Sequence, residues 1–373
     1  MKDINPFSTR DYISPNYFCN RQAELKQLID AIDNQKNTTI VSQRRLGKTA
    51  LIKHCFNTLQ NRKDVSLHYF DIYSTQNLRE FTNQLSTSLL GYFESKPEKV
   101  FQQILKLLGQ FRPKFSIDEL TGKPSIELSL QSDAETGQSL GALFNYLVVQ
   151  KKKIVIAIDE FQQITQYPET NVEAILRTHI QGNNNISMIY SGSNRHMLVS
   201  LFNDYARPFY QSSGFLFLGK LDKETYKTFI AGHFNKAGTE ISQEALDSIM
   251  DWTLGHTYYV QEVCSSLYAI NFSHIGVPEV NRIIIQLMEE RTPLYQIYRD
   301  LLTSSQYALL KALAIEGQTE QPTSTGFVTT YQLGAVSTVK RSLEALVNKN
   351  IVFYEDGKYH LIDIFLMRWL QRQ

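Results

Sequence analysis

Short runs of β-branched and aromatic residues alternate with longer amphipathic stretches between residues 37 and 218. Strands that alternate with helices in this way are typical of a parallel sheet with helices on both faces. The predicted strands cover residues 38–41, 65–73, 154–158, 186–191 and 215–218. Two further runs, 114–118 and 125–130, flank a turn sequence at 121–124 and predict a hairpin with an exposed tip, inserted into this α/β domain.

The pattern changes after residue 218. From 222 to about 271 no strand is predicted, and apolar residues such as Tyr226, Phe229 and Ile230 recur at helical spacing. The C-terminal segment predicts two helices, near 305–314 and around Val339–Val347, and then two short strands about a turn at 355–357, which is a winged helix-turn-helix pattern. We therefore predict three domains: an α/β core over 1–218, a helical lid domain over 219–295 and a winged-helix domain over 296–373.

The first candidate chemistry is a phosphate-binding loop of eight consecutive residues, Ser42, Gln43, Arg44, Arg45, Leu46, Gly47, Lys48 and Thr49. They match the pattern G-x-x-x-x-G-K-[ST] at every fixed position except the first. A predicted strand precedes the loop and an amphipathic helix follows it, so backbone amides and a helix N-terminus would surround the bound phosphates. We expect Lys48 to reach the β and γ phosphates and Thr49 to place its hydroxyl on Mg²⁺.

Serine at position 42 departs from this pattern. The glycine usually found there relieves a tight turn, so Ser42 fits only if its φ stays negative or if strain is accepted. We expect this serine to weaken nucleotide affinity without abolishing binding.

Two carboxylates follow the most apolar predicted strand. Asp159 and Glu160 end the run 154–158 and would lie at the carboxyl edge of the sheet, where ligands of open α/β sheets bind. Alone, such a pair could equally cap a helix N-terminus. Together with the loop, it favours a nucleotide site in which Asp159 contributes to the Mg²⁺ shell. Glu160 would be the catalytic residue that accepts a proton from the attacking water or orients that water.

The next predicted strand also ends in polar residues. Ser193 and Asn194 follow the run 186–191 and are candidates for sensing the γ-phosphate, although such residues also favour an ordinary strand-to-helix turn. Arg195 and Arg207 are candidate transition-state arginines, in cis or from a neighbouring subunit, or else exposed charges.

The composition excludes several classes of protein. The chain of 373 residues is 42% hydrophobic, which rules out a fibrous or wholly disordered protein. Its 38 basic and 37 acidic residues nearly cancel and predict no long-range attraction to nucleic acid or to an anionic membrane. Cys19, Cys55 and Cys264 are far apart and lack metal-ligand spacing. Because no run approaches the length of a membrane span, we expect a cytoplasmic protein without a membrane partner.

In this order, the loop, the Asp159–Glu160 strand, the helical domain and the winged helix resemble the STAND-class relatives of the AAA+ ATPases, specifically the archaeal and bacterial ATPase family. Asn20, Arg21, Glu24 and Leu25 resemble the N-terminal signature of that family, and the pair Arg44–Arg45 is similar to its paired arginines. The segment 255–259, Gly-His-Thr-Tyr-Tyr, resembles the Gly-His-Pro-Tyr-Tyr segment of its lid, with Thr257 in place of proline. The segment 363–370 resembles its C-terminal end.

The resemblance implies a P-loop, AAA+-like fold and an adenine nucleotide, ATP or ADP, as ligand. It further implies that Arg21 borders the adenine pocket and that His256 contacts a phosphate, although a buried structural histidine would also fit the lid. The expected function is therefore ATP binding with slow, Mg²⁺-dependent hydrolysis, used as a nucleotide-controlled molecular switch. A protein partner or self-association would fit such a switch.

Two alternatives remain open. A DNA-transacting ATPase would use the winged helix on duplex DNA. Residues 303–373, however, contain seven basic and six acidic side chains, whereas DNA-binding faces concentrate positive charge. The second alternative is a scaffold that binds nucleotide without turnover, which Ser42 and Thr257 favour and the presence of both Asp159 and Glu160 disfavours.

Overall fold

The structure, a computed structural model, describes residues 4–9, 11–91, 112–117, 124–130 and 132–373. The chain forms two compact units, Asp11–Gly219 and a second made of Met1–Arg10 with Lys220–Gln373. In sequence order the first unit contains α1 (Gln22–Asp33), β1 (Thr38–Ser42), α2 (Lys48–Leu59), β2 (Val65–Asp71), α3 (Leu78–Gly91), β3 (Pro113–Ile117), β4 (Pro124–Leu128), α4 (Asp133–Val148), β5 (Lys153–Asp159), α5 (Val172–Ile180), β6 (Ile186–Gly192), α6 (Arg195–Asn203) and β7 (Gly214–Leu218).

Five of these strands form one parallel sheet in the order β2-β5-β6-β1-β7. The parallel α/β core that the sequence predicts is therefore confirmed, and each predicted strand coincides with an observed one to within two residues at either end. The register pairs Asp71 with Asp159 and Val41 with Gly192. Because parallel strands end at the same edge, the polar residues that follow β1, β5 and β6 are brought together.

Strand β5 is apolar at successive positions, without alternating polar residues, because both of its faces are buried. Val155 and Ala157 belong to the hydrophobic core that contains Leu28 of α1 and Leu51 of α2. Ile156 and Ile158 alternate with them and belong to the core on the opposite face, together with residues of α3, α4, α5 and α6. A strand buried on both faces has no polar face to present, as is usual in parallel sheets.

The predicted inserted hairpin is also present. Strands β3 and β4 pair antiparallel, and the amide of Leu128 donates to Asn83 Oδ1 of α3 at 3.0 Å. The expectation that the hairpin tip is exposed concerns residues 118–123, which lie outside the described residues.

The second unit contains α7 (Lys223–Lys236), β8 (Glu240–Ile241), α8 (Gln243–Trp252), α9 (Thr257–Ile270), β9 (His274–Ile275), α10 (Val277–Leu301), α11 (Ser304–Glu316), α12 (Thr325–Thr330), α13 (Val336–Asn348), β10 (Val352–Glu355), β11 (Lys358–Leu361) and α14 (Ile364–Leu370). Its N-terminal segment is anchored by Phe7, which is fully buried with its ring 5.2 Å from that of Phe234. Helix α10 contains Pro293 and covers position 295, and the boundary predicted there between the helical and winged-helix domains stays a prediction.

The C-terminal part of this unit is a winged helix. Helices α11, α12 and α13 precede the antiparallel pair β10–β11, and a bridge between Thr319 and Tyr359 extends that pair. The sequence predicts two of these helices and both wing strands. It misses the six-residue helix α12. It also misses β8 and β9, two strands of two residues each that pair with one another, and their presence corrects the expectation that this region contains no strand. Such short elements carry too few positions for a periodic pattern. No helix in the described ranges combines the length and the apolar character that crossing a membrane requires.

Candidate functional site

The phosphate-binding loop connects β1 to α2 without strain at Ser42. Ser42 is the buried last residue of β1 and has no positive φ; its hydroxyl donates to the carbonyl of Gln43 at 2.8 Å. The left-handed backbone lies further along the loop, at Arg45 (φ 63°) and Gly47 (φ 93°). The backbone strain that would have accounted for weaker nucleotide affinity at Ser42 is therefore absent.

Lys48 is the first residue of α2 and is only 7% exposed. Its Nζ donates to the carbonyl of Gln43 at 3.2 Å, on the strand side of the loop. Burial lowers the pKa of Lys48, and the nearby carboxylates Asp159 and Glu160 oppose that shift. A buried ammonium held within the loop is suited to binding an anion, since the anion would replace lost solvation.

Asp159 collects four hydrogen bonds and is 4% exposed. Its Oδ2 accepts from the Thr49 hydroxyl at 2.6 Å and from the Tyr69 hydroxyl at 3.2 Å. Its Oδ1 accepts from the Ser191 hydroxyl at 2.6 Å and from the Glu160 amide at 3.0 Å. These donors orient a buried carboxylate directly against the first turn of α2.

Glu160 is the N-cap of the 3₁₀ helix Phe161–Gln166, and its backbone is left-handed, with φ 56°. Its Oε2 accepts from the amide of Ser193 at 3.1 Å, from the hydroxyl of Ser193 at 2.8 Å and from Nε2 of Gln162 at 2.5 Å. Asn194 instead caps α6, where its Oδ1 accepts from the amide of Met197 at 3.1 Å. Of the two candidate sensor residues, only Ser193 contacts Glu160.

A third carboxylate lies beside this pair on the neighbouring strand. Asp71 ends β2 directly opposite Asp159, and its Oδ1 accepts from the amide of Tyr73 at 2.7 Å. Partial burial, together with the negative charges of Asp159 and Glu160, raises the pKa of Asp71. Three acidic residues thus share one edge of the sheet.

Arg21 is buried beside the loop and bonds to protein atoms. One guanidinium nitrogen pairs with Glu24 at 2.9 Å, and the other donates to the carbonyls of Gly219 at 2.6 Å and Leu46 at 3.4 Å. Leu46 is buried as well, whereas Arg44 and Arg45 are exposed. Arg21 therefore links the phosphate-binding loop to the last residue of the first unit.

The structure assigns the remaining candidate residues to other surroundings. His256 lies in the second unit, immediately before α9, where it is buried with its ring 5.1 Å from that of Tyr259. Arg207 pairs with Glu173 at 3.4 Å, and the guanidinium of Arg195 lies 5.9 Å from the ring centre of Phe217. Both arginines belong to the first unit, as does the rest of the candidate site.

Sequence reasoning missed two side chains of this site, Tyr69 and Gln162. Tyr69 lies on β2, whose pairing with β5 follows only from the sheet order. Gln162 stands two residues after Glu160, but its contact with the carboxylate depends on the left-handed turn at Glu160. An acidic pair followed closely by an amide side chain is the only sequence signal that could have indicated it.

Two family comparisons agree with this geometry. Residues 18–263, more than half of the chain, match the family described as "ATPase domain predominantly from Archaea". The chain therefore belongs to this ATPase family. Residues 293–372 match the family described as "Probable winged helix domain". No curated protein matches the chain at a significant level.

Solved structures with the same fold confirm an AAA+-like P-loop core followed by a winged helix. A Walker-type ATPase of Pyrococcus abyssi is similar at a TM-score of 0.67 with 17% identity, over 98% of this chain and 99% of its own. The Aeropyrum pernix ORC2 protein, in ADPNP–ADP complexes, gives 0.59 and 14% over 100% and 97% of the two chains. The Aeropyrum pernix ORC1 protein in complex with DNA gives 0.52 and 14% over 96% and 94%.

Proposed function

We propose that the chain binds ATP with Mg²⁺ and hydrolyses ATP slowly. The observation that carries the proposal is the 2.6 Å hydrogen bond between Thr49 and Asp159, which joins the end of the loop to the end of β5. A hydroxyl and a carboxylate are hard oxygen ligands of the kind that Mg²⁺ prefers, so the two residues present fit the ion. When bound, Mg²⁺ would supply positive charge against the phosphate oxygens.

The other residues divide the remaining work. The loop amides and the ammonium of Lys48 would bind the phosphates, since both present hydrogen-bond donors and positive charge. Glu160 would accept a proton from the attacking water as oxygen adds to the γ-phosphorus and the bond to the bridging oxygen breaks. Ser193, which donates to Glu160 through both its amide and its hydroxyl, would orient that carboxylate.

Equilibrium binding of ATP, with and without Mg²⁺, tests this proposal. Thr49→Ala and Asp159→Asn should each remove most of the Mg²⁺-dependent gain in affinity. Thr58→Ala is the matched control, because Thr58 is an exposed residue of the same helix whose hydroxyl bonds only within α2. Binding that is insensitive to Mg²⁺ and to Thr49→Ala would overturn the proposal.

We further propose that the nucleotide controls a switch, as in the STAND class that the sequence resembles. The support is Arg21, which contacts both the loop carbonyl of Leu46 and the carbonyl of Gly219, the residue at which the first unit ends. A change in the loop would therefore reach the junction, and the ligand would shift the population by its differential affinity for the two arrangements. His256 would contribute a phosphate contact in one arrangement. Limited proteolysis between the units tests this switch. Wild type and His256→Ala are each digested with ATP and with ADP, and identical cleavage in all of these samples would contradict the proposal.

A second candidate function is action on DNA through the winged helix. Its support is the winged-helix match together with exposed Lys340 and Arg341 on α13, and the similar Aeropyrum pernix ORC1 protein is described in complex with DNA. The balanced charge of residues 303–373 weighs against it. Binding of duplex DNA can be measured by fluorescence anisotropy. Affinity that falls steeply with salt and is lost in the double variant Lys340→Ala, Arg341→Ala would support this function. The absence of binding at low salt would exclude it.

The scaffold alternative and self-association have their own tests. If Glu160→Gln leaves phosphate release unchanged, Glu160 is not the catalytic base. ATP binding that depends on Lys48, without phosphate release by wild type, would favour the scaffold. Self-association would bring an arginine from a neighbouring copy to the site, and Arg195 and Arg207 are the candidates. Sedimentation with ATP would show it as an increase in mass, together with loss of turnover in the corresponding alanine variant.

A further inference from the structure

Gln162 occupies a position that only glycine at residue 192 permits. A Cβ built on Gly192 would lie 1.9 Å from Gln162 Oε1 and 3.0 Å from Gln162 Cδ, far inside contact distance. The nearest atoms to that Cβ all belong to the Gln162 side chain. Gly192 ends β6 without a positive φ, so its backbone does not require glycine. The glycine leaves room for the amide.

Only the nitrogen of the Gln162 amide in that space has a hydrogen-bond partner among the described residues. Gln162 is 8% exposed, its Nε2 donates to Glu160 Oε2, and its Oε1 is buried without a hydrogen-bond partner in the described residues. The reverse orientation would place the amide oxygen against the carboxylate oxygen, which repels it. Because a buried carbonyl without a partner is unfavourable, packing alone does not account for glutamine here.

We propose that Gln162 is a positioning residue for Glu160, held by the space over Gly192. This rests on the proposed ATPase function, because Glu160 is the base of that reaction. Gln162 supplies the third donor to Oε2, beside the amide and hydroxyl of Ser193, and so restricts the carboxylate to one side. The charged groups around the Glu160 carboxylate are Lys48 of the loop, Asp159 of β5 and Asp71 of β2.

Three variants separate positioning from packing. Gln162→Met keeps the length and loses the amide, so stability should stay equal or rise, whereas kcat should fall about 10- to 100-fold with little change in KM for ATP. Gly192→Ala should lower kcat similarly, because the new methyl group displaces Gln162. In a Gln162→Ala background, Gly192→Ala should have no further effect on kcat, since the space is then empty.

The same cycle of variants is measured by denaturant unfolding, which needs no turnover. Non-additivity between positions 192 and 162, and between 162 and 160, is expected. Additive effects in unfolding would overturn the placement of Gln162 even if ATP is hydrolysed. If the unfolding free energies are coupled but Gln162→Met has the kcat of wild type, the positioning role would be overturned. Coupling without any wild-type turnover would refute the ATPase function and leave Gln162 as the residue that orients Glu160.

Discussion

The hydroxyl of Thr49 donates a 2.6 Å hydrogen bond to Oδ2 of Asp159, a residue 110 positions away in the sequence. The contact exists because β1 and β5 are parallel strands of one sheet, separated by β6, with their carboxyl ends on the same edge. It joins two motifs that are each ambiguous alone. A Gly-Lys-Thr loop and an Asp-Glu pair become one site only through the sheet order.

Asp159→Asn should remove the Mg²⁺ dependence of ATP binding and lower kcat at least about 100-fold, because an amide neutralises the buried charge and turns one acceptor into a donor. Isothermal calorimetry and phosphate release provide the two readouts. Asp71→Asn, on the adjacent strand, is the control and should cost much less, because Thr49 bonds only to Asp159 of this pair. Equal losses in the two variants would contradict the assignment of the metal ligand.

Arg21→Lys should destabilise the protein by about 2–3 kcal/mol, because lysine cannot reach Glu24, Leu46 and Gly219 at once and a buried group would lose its partner. ATP affinity should fall with it, since the Leu46 carbonyl is part of the loop. Denaturant unfolding measures the first effect and equilibrium binding the second. Arg44→Lys, at an exposed loop position, serves as the control and should leave stability unchanged.

Gly47→Ala should cost about 1–2 kcal/mol of stability through backbone strain alone, because Gly47 has φ 93° and an added Cβ would meet no atom within 4 Å. Gly137 of α4 also has open space but no positive φ, so Gly137→Ala should be neutral or stabilising. Thermal or chemical unfolding of the two variants gives the comparison. A cost shared by both would show that the left-handed backbone is not the reason for glycine at position 47.

Stability should fall between pH 7 and pH 5 through His68. This histidine is buried in β2, with Nδ1 donating to the Ser88 carbonyl and Nε2 bonded to the Ser66 hydroxyl, and burial lowers its pKa to about 4. Since the unfolded chain binds the proton near pH 6.5 and the folded chain does not, the stability present above pH 6.5 is lost as pH falls toward 4.

The expected loss from His68 at pH 5 is about 1–2 kcal/mol, measured by urea unfolding at both pH values. His68→Gln should reduce the difference between the two pH values by that amount, although its stability at pH 7 will be lower. His196→Gln, which changes an exposed histidine of the same unit, is the control variant. An unchanged dependence in His68→Gln would show that this histidine is not responsible.

The sequence predicts the sheet well because buried parallel strands carry continuous apolar runs, as in β5. It predicts the loop and the acidic pair because their spacing is local. It could not predict that Ser42 would be unstrained, since that depends on where the loop places its positive φ values, at Arg45 and Gly47. Nor could it indicate Tyr69, because only the strand register places it against Asp159.

Phosphate release from ATP by the purified chain, with Mg²⁺, tests the central claim most directly. The account predicts slow, Mg²⁺-dependent release by wild type, no release by Lys48→Ala because ATP no longer binds, and no release by Glu160→Gln although ATP still binds. Release that persists in both variants, or a wild type that neither binds nor hydrolyses ATP, would contradict it.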